Sequence, residues 1–156
     1  MSPELLFIQA LNGLQFGVLL FLMAAGLTLV FGIMSFINLA HGSLYMFGAY
    51  FAAVVFQGTG SFLLSVAVGF LGVFALGALI DRFGFFVLHR RDHLDQVLAT
   101  FGVVLFSNEV ARMIWGASPI FMELPEALAD SVSLFGLSYP AYRILIIGVG
   151  LVVAVG

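Results

Sequence analysis

Cysteine and lysine are absent from this 156-residue sequence, and charged residues of every kind make up only 8% of it. Without cysteine the chain can form neither a disulfide framework nor a thiolate metal site. All its cations are arginines, and five of them against eight acidic residues give a formal net charge of −3. This balance argues against a nucleic-acid partner, because such partners bind basic surfaces.

Hydrophobic residues make up 63% of the chain, and its mean hydropathy is +1.21. Soluble domains are about half apolar and about 25% charged, so the composition predicts an integral membrane protein. The N-terminus has no positive region, which favours a retained transmembrane segment over a cleaved signal peptide. We predict an all-α, polytopic transmembrane bundle with spans near 5–33, 38–56, 62–80 and 97–115. A fifth span, 141–156, falls short of the ~20 residues required, so the sequence is expected to be cut off inside a helix.

The charges that do occur predict the orientation of the chain in the membrane. Segment 81–96 holds three of the five arginines and, by the positive-inside rule, is expected in the cytoplasm. Segment 116–140 holds no arginine and reads as an external loop, with a short surface helix near Pro125–Leu134. The N-terminus would then be periplasmic.

The apolar run Gly26–Tyr50 carries polar side chains at its middle. Asn38, His41 and Tyr45 have the spacing i, i+3, i+7, so one helix would place them on one face. Polar side chains inside a membrane usually face a bundle interior or a watery path. Two interpretations stay open, a lining of a solute path and hydrogen bonds that only fix helix packing. Gln15 and Asn108 are further candidates for the path, although helix-end polarity explains Gln15 almost as well.

A helix break is expected at Ser35–Asn38, where serine and asparagine both offer to cap a new helix. If the next helix starts inside the bilayer, its first N–H groups are unpaired and carry partial positive charge. Broken helices of other transporters hold a substrate carboxylate with that end. The same role is a hypothesis for this break.

Small residues in the apolar runs predict close helix contacts. Gly13 and Gly17 form a GxxxG pair, and Gly42 and Gly48 lie beside the polar residues of the following run. Each would let a neighbouring helix approach closely, although glycine is also common in membrane helices generally.

Other polar pairs are interpreted as surface features. Glu109 and Arg112 could be a coupling ion pair, but a local salt bridge is the simpler interpretation. His89 and His93 have the i, i+4 spacing of a metal site, but in an arginine-rich loop a charged surface is favoured, and no metal is expected. The sequence has no GxxxxGK[ST] phosphate loop, so we expect no ATP bound by this chain, no cofactor and no enzymatic activity of its own.

The run Gly26–Tyr50, with Asn38-x-Ala40-His41-Gly42 at its centre, resembles the signature of permease subunits from branched-chain amino acid ABC importers. The resemblance extends along the chain through Asn12-Gly13-Leu14, Ala99-Thr100-Phe101-Gly102 and Trp115-Gly116. It implies a bacterial inner-membrane importer with a second, homologous permease subunit. A periplasmic binding protein would deliver the substrate, and cytoplasmic ATPase subunits would drive the cycle.

Length is the main departure from that family. Its permeases are nearly twice as long and carry their ATPase-docking loop in the second half, so this chain is expected to be an N-terminal fragment. Related permeases carry urea or short amides, and the sequence does not decide among these solutes. A stand-alone channel or carrier, and a non-transporting assembly subunit, are the alternatives from other classes.

Overall fold

The computed structural model describes residues 3–118, 120, 130–134 and 137–155. Helices dominate it, and one short β-hairpin is present. In chain order the elements are α1 (Pro3–Met34), α2 (His41–Thr59), α3 (Phe62–Ile80), a π-helical turn (Asp81–Phe85), α4 (Phe86–Leu88), α5 (His93–Trp115), β1 (Ser131–Leu134), β2 (Leu137–Pro140) and α6 (Ala141–Val155).

Three described helical segments are long and apolar enough to cross a membrane, namely Glu4–Ile33, Phe62–Leu88 and His93–Trp115. They confirm the predicted all-α, multi-pass membrane class. Helix α2 has 19 residues but is not one of the three, because polar residues such as His41 lower its hydropathy. A shorter apolar helix, Ala141–Ala154, follows near the C-terminus.

The turn between α2 and α3 is built from glycine and serine. Gly60 adopts φ +67°, a left-handed conformation that favours glycine, and its N–H donates to the Phe56 carbonyl at 2.8 Å. The Ser61 hydroxyl oxygen then accepts a hydrogen bond from the Leu64 N–H at 3.4 Å and caps α3. Two antiparallel helices therefore follow each other closely.

Helices α2 and α3 pack through small residues. A Cβ atom added to Gly69 of α3 would lie 3.0 Å from the Gly48 carbonyl oxygen and 3.1 Å from the Ala52 Cβ. One added to Gly48 would lie 3.4 Å from Val73 Cγ2. The backbones approach this closely only because side chains are absent at both positions.

Segment 81–96 is more helical than the sequence predicts. The helix that begins at Phe62 continues through the π-helical turn to Leu88, and α5 already begins at His93. The predicted loop is thus wrong for most of its length. The reason is the apolar composition of its first half, which suits a helix despite the flanking charges. Helix α2, by contrast, begins at His41 and not at Asn38.

The surface helix predicted near Pro125–Leu134 is wrong where it can be checked. Residues 131–134 form strand β1, which pairs antiparallel with β2 and places Val132 opposite Tyr139. Alternating serine and apolar residues in β1 match the two-residue period of a strand. Residues 125–129 lie outside the described part of the chain.

The chain divides into two compact units, Met1–Thr28 with Leu124–Gly156, and Leu29–Glu123. In the first unit the side-chain oxygen of Asn12 accepts hydrogen bonds from the Tyr139 hydroxyl, at 3.1 Å, and from the Arg143 guanidinium. In the second unit Phe36, Ala40 and Phe85 form a buried apolar cluster. The cavity described next belongs to this second unit.

Candidate functional site

A cavity of about 480 Å³ opens in the second unit beside the start of α2. Its walls come from the end of α1, the break, α2, α3, the π-helical turn and α5. Five lining residues carry polar side chains, namely Asn38, His41, Ser43, Asp81 and Ser107, and the others include Leu44, Phe47, Val73, Phe74 and Phe85. The cavity therefore offers hydrogen-bonding groups within a largely apolar wall.

Residues 35–40 form the break between α1 and α2 and are called the break segment below. Ser35 directly follows α1 in a left-handed conformation, φ +50°, which is uncommon for a residue other than glycine. Asn38 is 9% exposed, and its Oδ1 accepts a hydrogen bond from the Ala40 N–H at 3.0 Å. Asn38 thus stabilises a tight turn ahead of α2, whose N-cap, Ala40, provides no side-chain cap.

The start of α2 has fewer unpaired N–H groups than the break alone predicts. The His41 N–H donates to the Asn38 carbonyl at 3.4 Å and the Ser43 N–H to the Ala40 carbonyl at 3.0 Å, while the Leu44 N–H makes the first regular helical bond, to the Ala40 carbonyl at 3.1 Å. At His41 and Ser43 the hypothesis of free N–H groups awaiting a carboxylate is wrong. The tightened first turn satisfies them internally.

Helix α5 supplies three buried polar side chains, of which Ser107 lines the cavity. Gln96 is 3% exposed, Thr100 is fully buried and Ser107 is 4% exposed. Gln96 Oε1 accepts from the Ile37 N–H at 3.2 Å, and the Thr100 hydroxyl lies within hydrogen-bond reach of the Ile37 carbonyl at 3.5 Å. Sequence reasoning missed Gln96 and Ser107 as site residues and noted Thr100 only as part of a motif. Their spacing, i, i+4 and i+11, is one helix face and was the available signal.

Aromatic side chains connect the break segment to the charged turn formed by residues 88–92, between α4 and α5. Phe36 is 2% exposed, stacks on the His89 ring with centroids 4.8 Å apart, and lies 5.2 Å from the Phe85 ring. His89 Nδ1 is 2.7 Å from the Phe85 carbonyl oxygen. His89 and His93 thus each have a protein contact, since His93 Nδ1 is 3.4 Å from Gln96 Oε1. Within the described residues no group of three or more potential metal ligands occurs.

A family model described as the branched-chain amino acid transport system / permease component matches residues 9–155. This chain belongs to that permease family. The high-affinity branched-chain amino acid transport system permease protein LivH of Salmonella typhimurium is 30% identical over 131 residues, which cover 77% of this chain and 42% of that protein. LivH of Escherichia coli strain K12 has the same identity and coverage.

BraD, a permease protein of the same description from Pseudomonas aeruginosa, is 32% identical over 114 residues, or 67% of this chain and 37% of BraD. The chain thus spans less than half the length of these curated relatives. No solved structure matches it. The family resemblance deduced from the central motif is confirmed.

The permease chain brings only part of the predicted polar set to the cavity. Asn38 and His41 line it, but Tyr45 is 57% exposed and is not among the lining residues. The single face predicted for the three does not form, because Asn38 precedes the helix. Asn108 is exposed on α5, where its neighbour Ser107 faces the cavity instead, and Gln15 is half-buried on α1 in the first unit. The transport roles of all five stay predictions.

Close helix packing is observed at only one of the four glycines singled out by sequence. At Gly48 the α3 backbone and Val73 lie within 4 Å of an added Cβ. At Gly13, Gly17 and Gly42 no atom of the described residues does so. Within the described residues the predicted packing role therefore has a physical basis at Gly48. Gly13 and Gly17 instead line a separate cavity of about 390 Å³ in the first unit.

The Glu109–Arg112 pair is a surface ion pair. Its nearest nitrogen and oxygen lie 3.4 Å apart, and both side chains are about two-thirds exposed, at 68% and 64%. Such i, i+3 pairs contribute a few tenths of a kcal/mol, about what a single exposed pair provides.

Proposed function

We propose that this chain is a membrane-spanning permease component of an ABC importer, and that the cavity beside His41 is part of its solute path. The solutes would be branched-chain amino acids or related small polar molecules. Cytoplasmic ATPase subunits would drive transport, a second, homologous permease subunit would complete the path, and a periplasmic binding protein would deliver the solute. In this proposal the chain has no ATPase site and resides in the bacterial inner membrane with its N-terminus in the periplasm.

The observation that carries the proposal is the mixed chemistry of the cavity in a member of this family. A branched-chain amino acid has a zwitterionic head and an apolar side chain. Asn38, His41 and Ser43 offer hydrogen bonds to the head, and Val73 and Phe74 offer an apolar wall to the side chain. The volume of about 480 Å³ falls in the ~300–1,000 Å³ range of small-molecule sites.

Cysteine labelling tests whether the cavity holds water. Because the chain has no cysteine, His41→Cys and Phe70→Cys each create a single thiol. Phe70 is the matched control, since it is 68% exposed on α3 but does not line the cavity. In membrane vesicles a water-soluble methanethiosulfonate reagent is expected to modify the thiol of His41→Cys rapidly and that of Phe70→Cys slowly. Equal rates in the two variants would overturn the proposal, because both thiols would then share one environment.

Protection from labelling tests the solute class. Leucine, isoleucine and valine are expected to slow the modification of His41→Cys, and aspartate is not. Slowing by urea or acetamide alone would assign the cavity to the amide-carrying relatives. Labelling that no solute slows would argue against a path for these molecules.

A further inference from the structure

Two side chains of α5, Gln96 and Thr100, contact the backbone of the break segment at Ile37. The Ile37 N–H donates to Gln96 Oε1 at 3.2 Å, and the Ile37 carbonyl lies 3.5 Å from the Thr100 hydroxyl, at the outer limit of a hydrogen bond. The Thr100 hydroxyl also lies 2.8 Å from the Gln96 carbonyl and 3.2 Å from the Val97 carbonyl.

Gln96 also holds the charged turn that follows α4. Its Nε2 donates to the Leu88 carbonyl at 3.3 Å and to the Arg91 carbonyl at 3.1 Å. One buried amide therefore connects the backbone of the break segment to the backbone of the turn. The aromatic stack of Phe36 on His89 connects the same two segments a second time.

We propose that Gln96 and Thr100 are positioning residues that make the break segment and the turn 88–92 move as one body. A displacement of the turn, whose residues 89–92 are exposed, would thereby be passed to Asn38 and His41 at the cavity. The physical basis is that separating the two segments would leave the buried Gln96 amide without part of its hydrogen bonds and the half-buried Ile37 N–H without its partner, which is costly. That this coupling controls solute access rests on the proposed function. The coupling of the two segments does not depend on that function.

A purely stabilising role for Gln96 and Thr100 is the alternative. It predicts that removing the Gln96 amide or the Thr100 hydroxyl lowers the free energy of unfolding. The motion of the turn 88–92 relative to His41 would then stay unchanged in the folded protein. Position-specific distances distinguish the two. Arg90→Cys and His41→Cys can carry a spin-label pair in the otherwise cysteine-free chain, with one label on the turn and one directly after the break segment.

The experiment compares four variants of that labelled pair in lipid vesicles by electron paramagnetic resonance. Gln96→Met keeps the length of the side chain but removes its amide, and Thr100→Val keeps the shape but removes the hydroxyl. Thr100→Ser keeps the hydroxyl that Thr100→Val removes. Gln9→Met is the control for Gln96→Met, since it replaces an exposed glutamine of α1 by methionine. A narrow distance distribution is expected for the parent, Thr100→Ser and Gln9→Met, and a clearly broadened one for Gln96→Met and Thr100→Val.

Fluorescence of Trp115, the only tryptophan, shows whether each variant is folded, because its ring stacks on Tyr50 with centroids 4.5 Å apart. A narrow distribution in Gln96→Met with parental Trp115 emission would overturn the proposal. If Gln96→Met fails to fold, the pair Thr100→Val and Thr100→Ser decides by the same criterion. No solute is added, so this experiment can fail while the solute path stands, and the reverse also holds.

Discussion

Substitution of Gly69 by alanine provides a quantitative test of the α2–α3 packing that supports the cavity. The added methyl would lie 3.0 Å from the Gly48 carbonyl oxygen and 3.1 Å from the Ala52 Cβ, and neither atom can rotate away. The helices must therefore separate by a few tenths of an ångström, and such overpacking costs about 1–3 kcal/mol. Alanine regains about 1 kcal/mol through its better helix propensity. The expected net effect lies between neutral and about 2 kcal/mol destabilising.

Gly102→Ala is the matched control, because within the described residues nothing lies within 4 Å of a Cβ added there. Only the propensity gain of about 1 kcal/mol applies to it. The two variants should thus differ by about 1–3 kcal/mol, whatever the exact propensity in a membrane.

Unfolding in detergent micelles, followed by Trp115 fluorescence, measures this difference. Trp115 of α5 stacks on Tyr50 and contacts the Phe47 and Phe51 rings, so it reports directly on the position of α2. Gly69→Ala is expected to unfold at lower denaturant than Gly102→Ala, and Gly69→Val at lower denaturant still. Coincident midpoints for the two alanine variants would refute the packing argument.

Three further predictions address the break, the first unit and the orientation. Ser35→Gly should stabilise the chain by about 1 kcal/mol in the same unfolding assay, because glycine adopts the left-handed conformation of φ +50° without strain, and an unchanged midpoint would contradict this. Asn12→Leu should lower the free energy of unfolding by about 1–3 kcal/mol, because it removes an acceptor shared by Tyr139 and Arg143. Gln9→Leu on the same helix should leave the free energy of unfolding nearly unchanged, and equal losses in the two variants would contradict the prediction. In intact spheroplasts an impermeant thiol reagent should modify Ser138→Cys and not Arg90→Cys, and the opposite pattern would invert the orientation.

The apolar helices were predictable because hydrocarbon imposes one simple requirement. Every backbone group in the bilayer must be paired within the protein. A long run without charge, such as Phe62–Ile80, therefore forms a helix, which pairs these groups within one segment. The boundaries near charges were harder. Asp81 and Arg82 read as the start of a loop, yet they lie in a π-helical turn that continues the helix, and Asp81 lines the cavity. Nothing in the sequence marks this π-helical turn.

The part of the candidate site that lies in the central motif was predictable from the sequence, and the part contributed by α5 was not. Its polar residues in the central motif, Asn38 and His41, were found because polar side chains stand out in an apolar run. Tyr45 was grouped with them by a helical spacing that does not apply, since the chain is not yet helical at Asn38. Gln96 was missed because it is the last residue of the charged segment 81–96 and was therefore interpreted as solvated, although it is 3% exposed. Which distant side chain completes a broken helix is a tertiary question that local patterns do not answer.

A broken helix in a membrane also constrains where its partners must be. The break segment takes Ile37 out of the helical hydrogen-bond pattern, where its N–H and carbonyl need other partners. The N–H finds its partner in Gln96, 59 positions further along the chain, and the Thr100 hydroxyl lies 3.5 Å from the carbonyl. Any state that keeps the break must therefore keep α5 beside it, so rearrangements that change the cavity have to move α5 and the break segment together.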